Sequence, residues 1–169
     1  LLPDPFHLLD MDKAVNRTID AILKQEKIYI FADYDVDGAT SSALLKNIFR
    51  DLGKNVDIYV PDRIEEGYGP TEYSFQKIKD CGAELVITVD CGTSSYQALK
   101  HAKKIGLEVI VIDHHISIDI PKEPIAIVNP NRIDETSDYT YLAAVGVAFL
   151  FATALLSSLK KQNYFENRT

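Results

Sequence analysis

Seven side chains able to bind a cation or move a proton fall in three short segments. Asp33, Asp35 and Asp37 close IYIFADYDVDG, Asp90 closes ELVITVDCG, and Asp113, His114 and His115 close EVIVIDHH. Carboxylates at such density repel one another unless protons or cations intervene, and hard oxygen donors suit Mg²⁺, Mn²⁺ or Ca²⁺. Imidazole beside carboxylate is more typical of Mn²⁺ than of a pure Mg²⁺ site and leaves Zn²⁺ open. Each segment begins as an apolar, β-branched run of the kind that forms a buried strand. Parallel strands of an α/β sheet deliver their carboxyl ends to one edge, so three distant segments would meet in one crevice.

Each segment alone has a plainer reading. The aspartates at 33, 35 and 37 would share one side if the strand continued, whereas a turn after Asp33 would wrap Asp35 and Asp37 around a common centre. An EF-hand loop also begins D-x-D-x-D-G, but this one follows a strand, and its twelfth position is Leu44 rather than glutamate. An acidic turn with one aspartate capping the next helix fits too, and so does a simple capped turn at VDCG. Adjacent histidines after an aspartate can be a ligand with its supporting partner, or a chance pair on a surface. The shared placement at three strand ends favours a site over three coincidences.

The elements that must hold these residues follow the same rhythm. Asp10 to Gln25 carries an apolar face at helical spacing, Ile28 to Ala32 reads as a strand, and Ala43 to Leu52 marks a helix stopping at Gly53. Val56–Val60, Glu84–Val89 and Leu107–Ile112 read as strands, Thr71–Lys79 and Ser94–Ile105 as helices. The fold class expected is therefore α/β, a parallel sheet flanked by helices on both faces. Ile116 to Asp138 reads as loop, with Pro121, Pro124 and Pro130 and a short apolar stretch at Ile125–Val128, before a long apolar helix from Tyr141 to Leu159.

A chain of 169 residues, 46% hydrophobic, has the size and make-up of one domain with a sizeable core. No apolar run approaches the ~20 residues of a membrane span, so no membrane partner is expected. Cys81 and Cys91 form neither a CxxC pair nor a disulfide framework; they read as packing residues in a reducing, cytoplasmic setting without structural zinc. The net charge of −7 excludes a chain-wide basic surface. It does not exclude a phosphate-bearing substrate, because two divalent cations would cancel about four negative charges in the aspartate cluster. With Leu1 first and a polar SLKKQNYFENRT last, residues 1–169 are expected to be a piece of a longer protein, truncated at the C-terminus.

In their order along the chain, ADYDVDG, VDCG and DHH resemble the first three motifs of the DHH phosphoesterase superfamily. RIEEGYGP (63–70), NPN (129–131) and AAVGVAF (143–149) are similar to its RecJ-type, single-strand-specific exonuclease branch. The resemblance implies a phosphodiesterase domain with two ions, Mn²⁺ or Mg²⁺, removing 5′-mononucleotides from single-stranded DNA in the 5′-to-3′ direction. Single-stranded DNA and other repair proteins would be its partners, in DNA repair and recombination.

Carried over residue by residue, the resemblance makes Asp35, Asp37, Asp90 and His114 metal ligands, with Asp90 bridging. Its catalytic set is Asp33, Asp90, Asp113 and His115, in which Asp33 and Asp113 orient their neighbours. His115 would be a metal ligand or face the substrate, Arg63 would face the substrate and hold a phosphate, and Gly67 and Gly69 would shape its loop. Phe31 stands where many smaller DHH enzymes have a histidine ligand, which favours the RecJ-type branch. A fourth motif with another aspartate ligand and a second, substrate-holding domain are not found before Thr169; Asp134 and Asp138 precede the long helix and do not match. Two alternatives stay open: a DHH phosphoesterase acting on short oligonucleotides, cyclic dinucleotides or pyrophosphate, and a noncatalytic remnant or interaction module. A dinucleotide-binding domain fits less well, since no G-x-G-x-x-G follows the first strand.

Overall fold

A computed structural model describes residues 3–166. After a 3₁₀ turn at Pro5–His7 come α1 (Met11–Lys24), β1 (Ile28–Ala32), α2 (Val36–Asp51), β2 (Asp57–Tyr59), α3 (Glu72–Asp80) and β3 (Leu85–Val89). α4 (Tyr96–Lys104), β4 (Glu108–Ile112), β5 (Ala126–Val128) and α5 (Ala144–Lys161) complete the order. The strands form one parallel sheet in the order β2-β1-β3-β4-β5. From β1 the chain moves outward to β2, then crosses back to β3 and continues to β4 and β5. The direction of winding thus reverses between β1 and β3, the place where open α/β sheets leave a crevice at their strand ends.

Both faces are covered, as expected. Ile28, Ile30, Ala32, Leu85, Ile87, Val89, Ile110 and Ile112 are buried together with the apolar faces of α1, α2 and α5. Phe31, Val86, Val109, Val111 and Ile127 are buried with α3 and α4. Alternate residues of one strand therefore serve different cores, which is why these strands read as continuous apolar runs. Phe31 stacks on Tyr59 at 5.5 Å and meets Phe75 edge-on at 5.9 Å. A packed, fully buried phenylalanine of this kind contributes about 1.5–3 kcal/mol through its burial alone.

Four expectations change. The acidic motif does not precede its helix: α2 starts at Val36, because the Asp35 side chain caps it, and Asp37 and Gly38 belong to its first turn. The short apolar stretch inside the loop-rich segment is a fifth strand, β5, too short for periodicity to reveal but hydrogen-bonded in register to β4. α5 begins at Ala144 rather than Tyr141, and Tyr141 is exposed. Cys81, expected in the core, is exposed just beyond α3, while Cys91 is buried. By length and composition α5 could cross a membrane, yet it buries Val147, Phe151, Leu155 and Leu159 in the core it shares with α1 and α2.

Candidate metal centre

Asp33 leaves β1 and is held beside β3 by its amide on the Val89 carbonyl, 3.4 Å. It is 3% exposed, and its Oδ1 is buried without a hydrogen-bond partner. Burial raises its carboxyl above the usual range. The chain then turns sharply into α2 over Gly38, where a Cβ would lie 2.3 Å from the Asp33 carbonyl oxygen, so no other residue fits. Asp35 caps the helix, Oδ1 accepting the amides of Asp37 (2.9 Å) and Gly38 (3.0 Å). The Gly38 amide bond is the main reason its carboxyl is lowered.

Asp90 follows β3 with φ of 61°, a left-handed conformation that non-glycine residues adopt mainly in constrained places. Its amide donates to Ile112 and its carbonyl accepts the Tyr68 hydroxyl at 3.1 Å, which fixes the turn. The side chain is 2% exposed. Burial, followed by the hydrogen bond that its protonated form donates to Asp35 and the charges of Asp35 and Asp37, pushes its carboxyl up to about 8.

Beyond β4, Asp113 is buried and saturated with donors. Oδ1 accepts the His114 amide (2.8 Å), the His115 amide (3.3 Å) and His115 Nδ1 (2.7 Å). Oδ2 accepts both the amide and the hydroxyl of Thr93. Although burial opposes its charge, the bonds from His115 and Thr93 keep Asp113 below its ordinary value. The same bond raises His115 above its ordinary value. His114 projects Nε2 to 3.2 Å from Asp90 Oδ1 and 3.8 Å from Asp37 Oδ2.

Two donor sets result. Atoms of Asp33, Asp35 and Asp90 lie within 4.8 Å of one another, as do atoms of Asp90, His114 and His115, and Asp90 belongs to both. The orphaned Asp33 oxygen, the elevated Asp90 carboxyl and the mixture of carboxylate with imidazole all fit a pair of divalent cations.

The structure therefore brings Asp33, Asp35, Asp90, His114 and His115 together. Asp33 stands among the donors, although sequence reading gave it only an orienting role. Asp113 lies behind the histidines, its two oxygens taken by the amides of His114, His115 and Thr93, the Thr93 hydroxyl and His115 Nδ1. Asp37 sits at the margin, its two oxygens accepting the amides of Ala144 and Val145 at the start of α5, both at 2.8 Å. Arg63 is outside the cluster, exposed, with its guanidinium 5.3 Å from the centre of the Tyr34 ring. Tyr68 was not singled out from the sequence, yet its hydroxyl lies 3.3 Å from His115 Nε2 as well as on Asp90. Only its place in the EGYGP segment pointed towards it. The shared β1–β3 edge also shows that a helix-capping Asp35 and a clustered Asp35 are the same residue, not rival readings.

Comparison with known proteins agrees with this geometry. Residues 27–168 match the profile described as DHH family, N-terminal domain. The chain is 45% identical over 156 residues to the single-stranded-DNA-specific exonuclease RecJ of Bacillus subtilis (strain 168), covering 92% of this chain and 20% of that protein. It is 40% identical over 162 residues to RecJ of Escherichia coli (strain K12), covering 95% and 28%. A crystal structure of exonuclease RecJ bound to manganese superposes with a TM-score of 0.81 at 32% identity, covering 94% of this chain and 39% of that one. The chain thus spans less than a third of the length of these curated relatives.

Proposed function

The chain belongs to the DHH family, and from that membership we propose that it is the metal-binding core of an exonuclease degrading single-stranded DNA from the 5′ end to 5′-mononucleotides. The activity is assigned to a protein that contains this domain together with the further length its relatives have. We place it in DNA repair and recombination in the cytoplasm, with other repair proteins as partners.

Manganese or magnesium ions would be held by Asp33, Asp35 and Asp90 on one side and by Asp90, His114 and His115 on the other, with Asp37 beside His114. Bound there, such ions neutralise phosphate charge and lower the pKa of an attacking water. Asp90, belonging to both sets, keeps the two sides in fixed relation. Its carboxyl, raised to about 8 in the metal-free protein, must be deprotonated to ligate, so ligation and deprotonation are linked. Asp113 holds His115 through Nδ1 and leaves Nε2 for ligation or for the substrate. Tyr68, bonded to the Asp90 carbonyl, stands beside His115. Arg63, next to the crevice on the Tyr34 ring, offers a fork of donors to a DNA phosphate.

The observation that carries this reading is the shared Asp90 between two donor sets that include a buried, unpartnered Asp33 oxygen. The test is Mn²⁺-dependent release of mononucleotides from 5′-labelled single strands by a protein of the relatives' full length and its Asp90→Asn variant. Release by the first and not the second is expected. Cleavage of dinucleotides or cyclic dinucleotides with long strands left intact would instead mark a small-substrate phosphoesterase, and no cleavage of either would mark a noncatalytic domain.

A further inference from the structure

Behind the histidines lies a second row of polar groups that touches no candidate metal position. Asn129 follows β5, is fully buried, and uses every polar atom of its side chain. Its Oδ1 accepts the Asn131 amide at 2.8 Å, which fixes the orientation of the carboxamide. Its Nδ2 must then supply the donors, one to the His115 carbonyl at 2.8 Å and one to Thr93 Oγ1 at 3.1 Å. A carboxamide nitrogen can only donate, so the Thr93 hydroxyl accepts there. Its own proton goes to Asp113 Oδ2, 2.7 Å away. Asp113 is held as an acceptor on all sides and takes its remaining bond, at 2.7 Å, from His115 Nδ1.

We propose that Thr93 and Asn129 are positioning residues that set which nitrogen of His115 carries the proton. The polarity of Asn129 → Thr93 → Asp113 ← His115 permits one arrangement, Nδ1–H on the imidazole with the Nε2 lone pair left free; the Tyr68 hydroxyl, which gives its proton to the Asp90 carbonyl, lies 3.4 Å from Nδ1 and 3.3 Å from Nε2 and so does not choose between them. Asn131 completes the frame from the other side, its Nδ2 donating to the His114 carbonyl at 2.6 Å, so main-chain oxygens of both histidines are tied to the end of β5. The role assigned to the Nε2 lone pair as a metal donor rests on the proposed function; the tautomer does not.

Three substitutions at Thr93, a buried residue, separate hydroxyl from packing. Thr93→Val keeps the volume and loses the oxygen, Thr93→Ser keeps the oxygen and loses a methyl, and Thr93→Ala loses both. The measurement is ¹⁵N NMR of the His115 ring in the metal-free chain at alkaline pH, where the imidazole is neutral, followed by Mn²⁺ titration read by EPR. We expect Nδ1–H in the native chain and in Thr93→Ser, and a mixed or reversed tautomer in Thr93→Val and Thr93→Ala. Mn²⁺ affinity should fall about 10- to 100-fold in the latter two and be rescued by serine. If valine does not fold, the alanine–serine pair isolates the oxygen by itself. A native tautomer in both Thr93→Val and Thr93→Ala overturns the inference, as does Thr93→Ser behaving like Thr93→Ala. A tautomer that responds as expected in a protein that binds no Mn²⁺ would uphold the relay and refute the metal-binding function.

Discussion

Asp37 is assigned two tasks, and its substitution separates them. Ala143, the N-cap residue of α5, has no side chain able to cap it, and the first two amides of the helix, of Ala144 and Val145, donate to the Asp37 carboxylate at 2.8 Å each. Losing an N-cap acceptor costs about 1 kcal/mol, and losing a negative charge at the positive end of a helix about 0.3–1 kcal/mol more. Part of this is offset in the metal-free protein, because Asp37 is one of the charges raising Asp90. The net cost of Asp37→Ala is therefore about 1–2 kcal/mol. For a domain of this size that lowers Tm by roughly 2–8 °C. Asp37→Asn keeps a carbonyl acceptor for one amide and should lose about half as much. Thermal unfolding by circular dichroism in EDTA measures the loss, and hydrogen exchange at the first amides of α5 localises it. An unchanged or higher Tm for Asp37→Ala, with no faster exchange at Ala144 and Val145, would refute the capping role.

Other outcomes follow from the same geometry. The folded-state carboxyl of Asp90, at about 8 against an ordinary 3.8, binds a proton more tightly than in the unfolded chain. Its contribution to stability is complete below 3.8 and is lost as pH rises towards about 8; His115, also raised, loses its contribution as pH rises through its folded value. Tm measured in EDTA should thus decline across that window, Asp90→Asn should flatten the decline, and a profile independent of pH would contradict it. Calorimetry of Mn²⁺ binding at neutral pH, in buffers of different ionisation enthalpy, should show proton release. Arg63→Ala, at an exposed residue, should alter stability by less than about 0.5 kcal/mol. In a protein of the relatives' full length it should reduce the salt dependence of single-strand binding by about one phosphate contact, read by fluorescence anisotropy at several salt concentrations; an unchanged salt slope would remove Arg63 from the substrate path.

Much of this was legible because the chemistry sits on long-range order that apolar runs reveal. β1, β3 and β4 each show five consecutive sheet residues before an acidic position, so the parallel sheet and the meeting of Asp33, Asp90 and Asp113 at its edge could be inferred. What periodicity did not show was short or relational. β5 has three residues, and without it Asn129 does not appear as a fourth strand-end residue. The start of α2 is set by one aspartate side chain rather than by an apolar face, so the acidic motif read as a turn ahead of its helix. The bond of Asp37 to residues 107 and 108 positions away has no local signature, nor does the reach of Tyr68 across to Asp90. Asp113 and Asp33 also differ in a way sequence cannot express: both are buried strand-end aspartates, but one is filled with donors and the other has an oxygen with none.

The central claim, that Asp90 is shared between two cation positions, is tested most directly by anomalous diffraction at the manganese edge from crystals of the chain grown with Mn²⁺. Density against Asp33, Asp35 and Asp90, and again against Asp90, His114 and His115, is the expected result, with both peaks absent in Asp90→Asn. Manganese bound elsewhere, or no peak at the β1–β3 edge in a folded chain, would contradict it.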